Sequence, residues 1–228
     1  MAQSTPQGLL LVWTDIPEEL ERDFNEWYNR EHMRERIQGV SGFLRGRRFR
    51  ATEGGPRYLA LYETRNAGVL HSEPYLALKR NFDPNSLRFV PRFQNTRKTA
   101  GEITVHSRVA EGGTIAVVPL GRTAGREADL RACIGRLAPG LLKRPGVVAA
   151  WFVESTAAIL ASVLADSPRI KTDRILDCVL VIEATAGADL DAAVAALDWE
   201  AIRAHGGAAD ASPARLQVIY SLRAPGAG

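Results

Sequence analysis

Short apolar stretches alternate with stretches of helical period along this chain, and the order of the two kinds occurs twice. Gly8–Thr14 (GLLLVWT) reads as a strand. Asp15-Ile16-Pro17-Glu18-Glu19 then opens a helix, with Asp15 as the expected cap and Pro17 in the first turn. That helix is expected to run to Gln38 and stop at Gly39. Gly42–Thr52 and Arg57–Glu63 read as strands joined by the turn Glu53-Gly54-Gly55-Pro56, which makes a hairpin. Asn66–Asn81 is the second expected helix, kinked at Pro74. After a loop with Pro84 and Pro91, Phe93–Val105 supplies the last strand of a βαββαβ order.

The second half follows the same order. Thr114–Leu120 is a strand, and Arg126–Lys143 a helix interrupted near Pro139-Gly140. Gly146–Glu154 and Arg174–Ala184 are strands, Asp189–His205 a helix and Ala214–Arg223 a strand. Ser155–Asp173 stands where the first half has a tight turn. A βαββαβ unit puts two helices on one face of a four-stranded antiparallel sheet and leaves the other face bare. Two copies can cover each other. The pattern therefore predicts an α+β chain of two tandem ferredoxin-like units forming an α/β barrel. Residues 1–110 carry the candidate site, 111–228 form a degenerate copy, and Glu111-Gly112-Gly113 is the linker.

Composition narrows the function. The 228 residues are 46% hydrophobic with a net charge of +3, and no apolar run approaches the ~20 residues of a bilayer span. Met1–Gln7 lacks the features of a secretory signal, and two cysteines, Cys133 and Cys178, make no disulfide framework. The expectation is a cytoplasmic protein with no membrane partner. The arginines form a single cluster without a nucleic-acid motif, so no nucleic-acid partner is expected. Twelve of the sixteen aromatic residues precede Glu111, which locates the candidate chemistry in the first copy.

On a regular helical wheel Phe24, Trp27 and Glu31 fall within about 60° of one another, so Glu31 is expected inside the apolar stripe. His32 lies on its shoulder, one turn after Tyr28. A buried carboxylate must be paired, protonated or facing a wet cavity. Glu31 and His32 are therefore read either as an acid–base pair or structurally, with Glu31 paired to a strand-2 arginine and His32 capping or bridging. At the matching offset the second copy has Gly135 and Arg136, which favours the functional reading. In strand 2, period-two alternation puts Arg45 and Arg47 with Phe43 and Phe49 on one face, and Arg48 on the other. Arg48 is the candidate for an anionic substrate oxygen; for any one of these arginines a salt bridge to Glu31 or pairing between the copies is the stronger alternative. Tyr58 and Tyr62, with Ala60 between them, suit a pocket floor, and Trp13 and Trp27 an aromatic ligand. Sheet packing accounts equally well for the two tyrosines, and core packing is favoured for each tryptophan. No metal-ligand spacing occurs among the histidines, and no metal or other cofactor is expected. His205 suits a helix C-terminus, and the cysteines read as small buried hydrophobes.

Three segments together resemble a known family: Phe24-Asn25-Glu26-Trp27-Tyr28-Asn29-Arg30-Glu31-His32, Gly39-Val40-Ser41-Gly42-Phe43-Leu44-Arg45 and Arg57-Tyr58-Leu59-Ala60-Leu61-Tyr62-Glu63. They are similar to the dimeric α/β-barrel superfamily, and within it to the EthD-like branch. The resemblance covers the first half. It implies an eight-stranded barrel that takes small hydrophobic or aromatic molecules between sheet and helices, and a possible homodimer. It also implies that the first-helix histidine, here His32, serves the site. Activities in the superfamily include isomerases, cyclases, dehydratase-like proteins, cofactor-free monooxygenases and haem enzymes. Haem would call on His71 or His32. The leading expectation is a cofactor-independent lyase, isomerase or cyclase. His32 would act as acid or base with Glu31, and Tyr28 and Arg48 would stabilise oxyanion charge. An oxygenase and a non-catalytic binding protein are the alternatives.

Overall fold

Eight antiparallel strands close on themselves in the computed structural model, which describes residues 7–155, 159–161 and 173–226. The first half supplies β1 (Gly8–Asp15), β2 (Phe43–Glu53), β3 (Tyr58–Thr64) and β4 (Gln94–Arg108). The second supplies β5 (Thr114–Arg122), β6 (Val147–Ser155), β8 (Cys178–Ala184) and β10 (Ala214–Arg223). Within the halves the spatial orders are β4-β1-β3-β2 and β10-β5-β8-β6, the same ferredoxin-like arrangement twice. The seams are β2–β10 and β4–β6, so the barrel closes within one chain. Short β7 (Arg174–Ile175) runs parallel to β4, and β9 (Gly207–Ala209) pairs with β5.

β4 belongs to both sheets. Gly101 faces Leu9 of β1 on one side and Ser155 of β6 on the other. A Cβ at Gly101 would lie 2.0 Å from the Glu154 carbonyl oxygen, so only glycine permits this approach.

Three apolar layers follow from the alternation of side chains across each strand. Leu9, Leu11, Trp13, Phe49, Trp151 and Val181 fill the barrel interior. Outside it, Phe24, Trp27 and Tyr28 pack on Leu10, Ala60 and Tyr62 in the first half. In the second half, Leu130 and Ile134 of the helix Glu127–Leu142 pack on Val118, Phe152 and Leu180.

Several local expectations change. Asp15 does not cap the first helix; its carboxylate accepts the Arg57 backbone N–H at 2.6 Å and the Asn95 amide at 2.9 Å. The second helix is a 3-10 turn (Ala67–His71) followed by Glu73–Arg80, with Pro74 in the first turn, where its missing N–H costs nothing. The expected loop contains a helix, Pro84–Phe89, capped by the Asp83 carboxylate on the Asn85 and Ser86 N–H groups. Pro139 sits inside an unbroken helix, Glu127–Leu142. Asp198 restarts the last helix at Trp199–Ala204, after Gly187–Ala195. Of the Ser155–Asp173 segment, residues 156–158 and 162–172 lie outside the described residues. Among the described residues no helix is long and apolar enough to cross a membrane.

Candidate functional site

The first helical stretch is not one regular helix. An α-helix, α1 (Glu21–Trp27), passes through a π turn (Tyr28–His32) into α2 (Met33–Gly39). The Met33 N–H bonds back five residues to the Tyr28 carbonyl. The extra residue in the turn rotates everything after Tyr28 relative to a regular wheel. Glu31 consequently faces solvent, not the apolar stripe, and accepts a 2.8 Å hydrogen bond from the Asn85 amide. His32 takes the inward place, with 6% exposure. Its ring lies 4.4 Å from that of Trp27 and 4.8 Å from that of Tyr28. The structure thus separates the two members of the expected acid–base pair.

β2 carries a second irregularity. Its register against β3 shifts between Phe43 and Arg45, so Phe43 joins the helix-facing layer while Arg45, Arg47 and Phe49 face the barrel interior. Phe43 therefore does not share a face with them. Arg48 faces the helices. It stands opposite Ala60, whose small side chain leaves room for the guanidinium. Only 1% exposed, Arg48 donates to the amide oxygens of Asn29 and Asn25, each at 2.8 Å. It also lies over the rings of Tyr28 (4.4 Å), Phe24 (5.1 Å) and Tyr58 (5.4 Å). No carboxylate among the described residues forms an ion pair with it.

Tyr62 and Tyr28 complete the cluster, with the Tyr62 hydroxyl donating to that of Tyr28 at 3.1 Å. Burial pushes both phenols upward, Tyr62 strongly, so both are protonated donors at neutral pH. Tyr58 is tied to Asn25 at 3.1 Å and to the Glu21 carboxylate, and so braces the amide that holds Arg48. Burial holds His32 well below the usual imidazole range, and the positive charges of Arg36 and Arg48 act in the same direction. His32 is therefore neutral, and its Nδ1 has no hydrogen-bond partner among the described residues. Trp13 is not part of this constellation. It lies on the other face of the sheet, inside the barrel, where its indole N–H donates to the Pro56 carbonyl at 2.6 Å.

An open cleft of about 250 Å³ adjoins the cluster. Trp27, Phe89, Glu31 and Asn85 are among its lining residues. Trp27 stacks on Phe89 at 4.9 Å and also touches His32, so one indole lies between cleft and imidazole.

No family model matches the sequence, and no curated protein does. Solved structures match over nearly the whole chain. An anthrone oxidase-like protein aligns with TM-score 0.64 and 12% identity, over 98% of this chain and 96% of its own. A candidate monooxygenase of Fusobacterium nucleatum aligns at 0.58 and 9%, over 96% and 95%. A haem-binding protein of Thermus thermophilus aligns at 0.54 and 10%, over 94% and 92%. The fold is that of the dimeric α/β-barrel proteins. At these identities the likeness concerns the fold alone.

Some proteins of the dimeric α/β-barrel fold hold haem, and the histidines decide whether one fits here. The Trp27 and Tyr28 rings both pack against His32, so a porphyrin, unlike a single small ring, could not reach it by displacement of Trp27 alone. His205 is engaged with the Ala201 carbonyl and Arg136, the helix-end role expected of it. His71 is half-exposed on its 3-10 turn. A haem does not fit on His32. Among the described residues no group of three or more His, Cys, Asp or Glu could hold a metal ion.

The depressed His32 pKa has a consequence for stability. Above the unfolded pKa of about 6.5 both states are neutral. As pH falls below it, the unfolded chain takes a proton that the folded chain refuses, and stability is lost until the folded pKa is passed. His106, also held low by burial, adds to the effect. In urea melts between pH 7 and pH 5, His32→Phe should lose less stability than the unsubstituted protein.

Proposed function

We propose that this chain is a cofactor-independent oxygenase of the EthD-like branch, acting on a small aromatic molecule that carries an acidic C–H or O–H. One observation supports this reading above the others: Arg48, a buried cation with no carboxylate partner among the described residues, shares a cluster with the neutral imidazole of His32. A buried charge without a counter-ion is costly and suits a site whose ligand brings the opposite charge.

In this reading the substrate ring stacks where Trp27 and Phe89 meet the cleft, and the Trp27 indole swings aside to admit it. His32 takes the acidic proton through Nδ1. The resulting oxyanion is met by the Arg48 guanidinium and the Tyr28 hydroxyl, whose own acceptor site is already filled by Tyr62. Tyr58 and Asn25 position Arg48, and Glu31 with Asn85 forms the polar rim. The anion then reduces dioxygen. For a methylene oxidised to a carbonyl, one O2 is consumed and one water released. The names of the fold neighbours, an anthrone oxidase-like protein and a candidate monooxygenase, favour this fate over the lyase or isomerase outcome. Those outcomes share the proton abstraction but need no oxygen.

The test is oxygen uptake with anthrone as the probe, corrected for autoxidation. The oxygenase reading predicts protein-dependent uptake of one O2 per anthraquinone formed. Turnover under nitrogen would replace it with an acid–base lyase or isomerase. Ligand-induced stabilisation without turnover would replace it with a carrier.

A further inference from the structure

The barrel interior holds a second polar cluster, on the opposite face of the sheets from His32. Arg45 pairs with Glu63, and Arg47 forks onto Glu183 with bonds of 2.9 and 2.8 Å while also reaching Glu63 at 3.3 Å. Arg108 lies 3.8 Å from Glu63 and 2.9 Å from Glu111, and Arg45 and Arg223 also contact Glu111. The connected network contains four guanidiniums, Arg45, Arg47, Arg108 and Arg223. It contains three carboxylates, Glu63, Glu111 and Glu183. Glu111 and Arg223 are exposed at its rim, and the enclosed part, Arg45, Arg47 and Arg108 against Glu63 and Glu183, has one guanidinium more than it has carboxylates.

Trp151 stands against this network. The Arg47 and Arg108 guanidiniums lie 5.1 and 5.4 Å from its ring, and His106, its cross-strand neighbour on β4, lies 5.7 Å away. Four buried polar atoms here have no hydrogen-bond partner among the described residues: Arg45 Nη1, which still has its ion pair with Glu111, and Arg47 Nε, Trp151 Nε1 and His106 Nε2. Arg47 Nε and Trp151 Nε1 are donors only. Buried polar atoms left unmet are costly, and several in one cluster are unusual. Burial and the Arg108 charge hold His106 neutral, and it contributes no charge.

We infer that this end of the barrel binds a small monovalent anion, with the Arg47 Nε–H and Trp151 Nε1–H as its donors and the unpaired guanidinium charge as its counter-charge. The neutral His106 accommodates it by presenting the Nε2–H tautomer. The anion is of halide, nitrate or formate size, because Trp151, Ala149 and Leu9 around the network are fully buried. The site is independent of the oxygenase reading, since a different sheet face carries it.

Bromide is the probe. Crystals grown in sodium bromide should give an anomalous peak within hydrogen-bond distance of Arg47 Nε and Trp151 Nε1. In solution, millimolar bromide should raise the thermal midpoint by about 3 °C at ten times its half-saturating concentration. Sodium gluconate, too large for the site, should not. Trp151→Phe and His106→Phe should each reduce the bromide-specific rise. A water with no anomalous signal at this position, equal responses to bromide and gluconate, or an undiminished rise in both variants would overturn the assignment.

Discussion

Replacing Glu183 with alanine should destabilise the protein by about 3–5 kcal/mol, the cost of leaving a buried charge without its partner. Glu183 is fully buried. It accepts both terminal nitrogens of Arg47 and the Gly112 N–H at 3.0 Å. Burial pushes its pKa up, but the Arg47 bonds and charge outweigh this and hold it below the usual value. Its contribution is thus present above the unfolded carboxylate pKa and is lost as pH falls through the depressed folded one. Urea melts check the size. Arg47→Met combined with Glu183→Leu should cost less than Glu183→Ala alone, because removing both charges leaves no orphan. The Glu183 change should leave turnover at the His32 cluster intact.

Arg48→Met should do the reverse. Loss of a charged donor aimed at developing oxyanion charge typically lowers kcat about 10²–10³-fold. Stability should move by less than about 2 kcal/mol, because two opposing effects compete. Relief of an uncompensated buried cation favours the variant, and unmet amide oxygens on Asn25 and Asn29 oppose it. Parallel kinetics and urea melts separate the effects. A large stability loss with an unchanged rate would make Arg48 a structural residue.

The strand order was legible because each half alternates apolar strands with helix-period stretches, and because a bare sheet face demands a partner. The errors cluster where the backbone leaves regular geometry. A π turn at Tyr28–His32 turned Glu31 outward and His32 inward, and a wheel built on a constant angle cannot register an added residue. A register shift at the start of β2 moved Phe43 to the helix side. Trp13 looked like ligand surface because alternation alone does not say which face of β1 meets the helices. Pairing between the copies was one expectation for the strand-2 arginines, but their carboxylate partners went unread, although they left a signal. Leu61-Tyr62-Glu63 and Val181-Ile182-Glu183 place a glutamate at the same point of the third strand in both halves, opposite Leu9 and Ile115 respectively. A repeated acid in an otherwise apolar strand calls for buried arginines, and Arg45 and Arg47 were available to meet it.

His32 is proposed as the base of a site in the first half of the barrel. The most direct test is the oxygen-uptake rate of His32→Ala with anthrone, beside a near-UV spectrum that reports the packing of the aromatic cluster. The account predicts a rate at least 100-fold lower, within the usual worth of a general base, with the fold retained. An unchanged rate in the folded variant would contradict it.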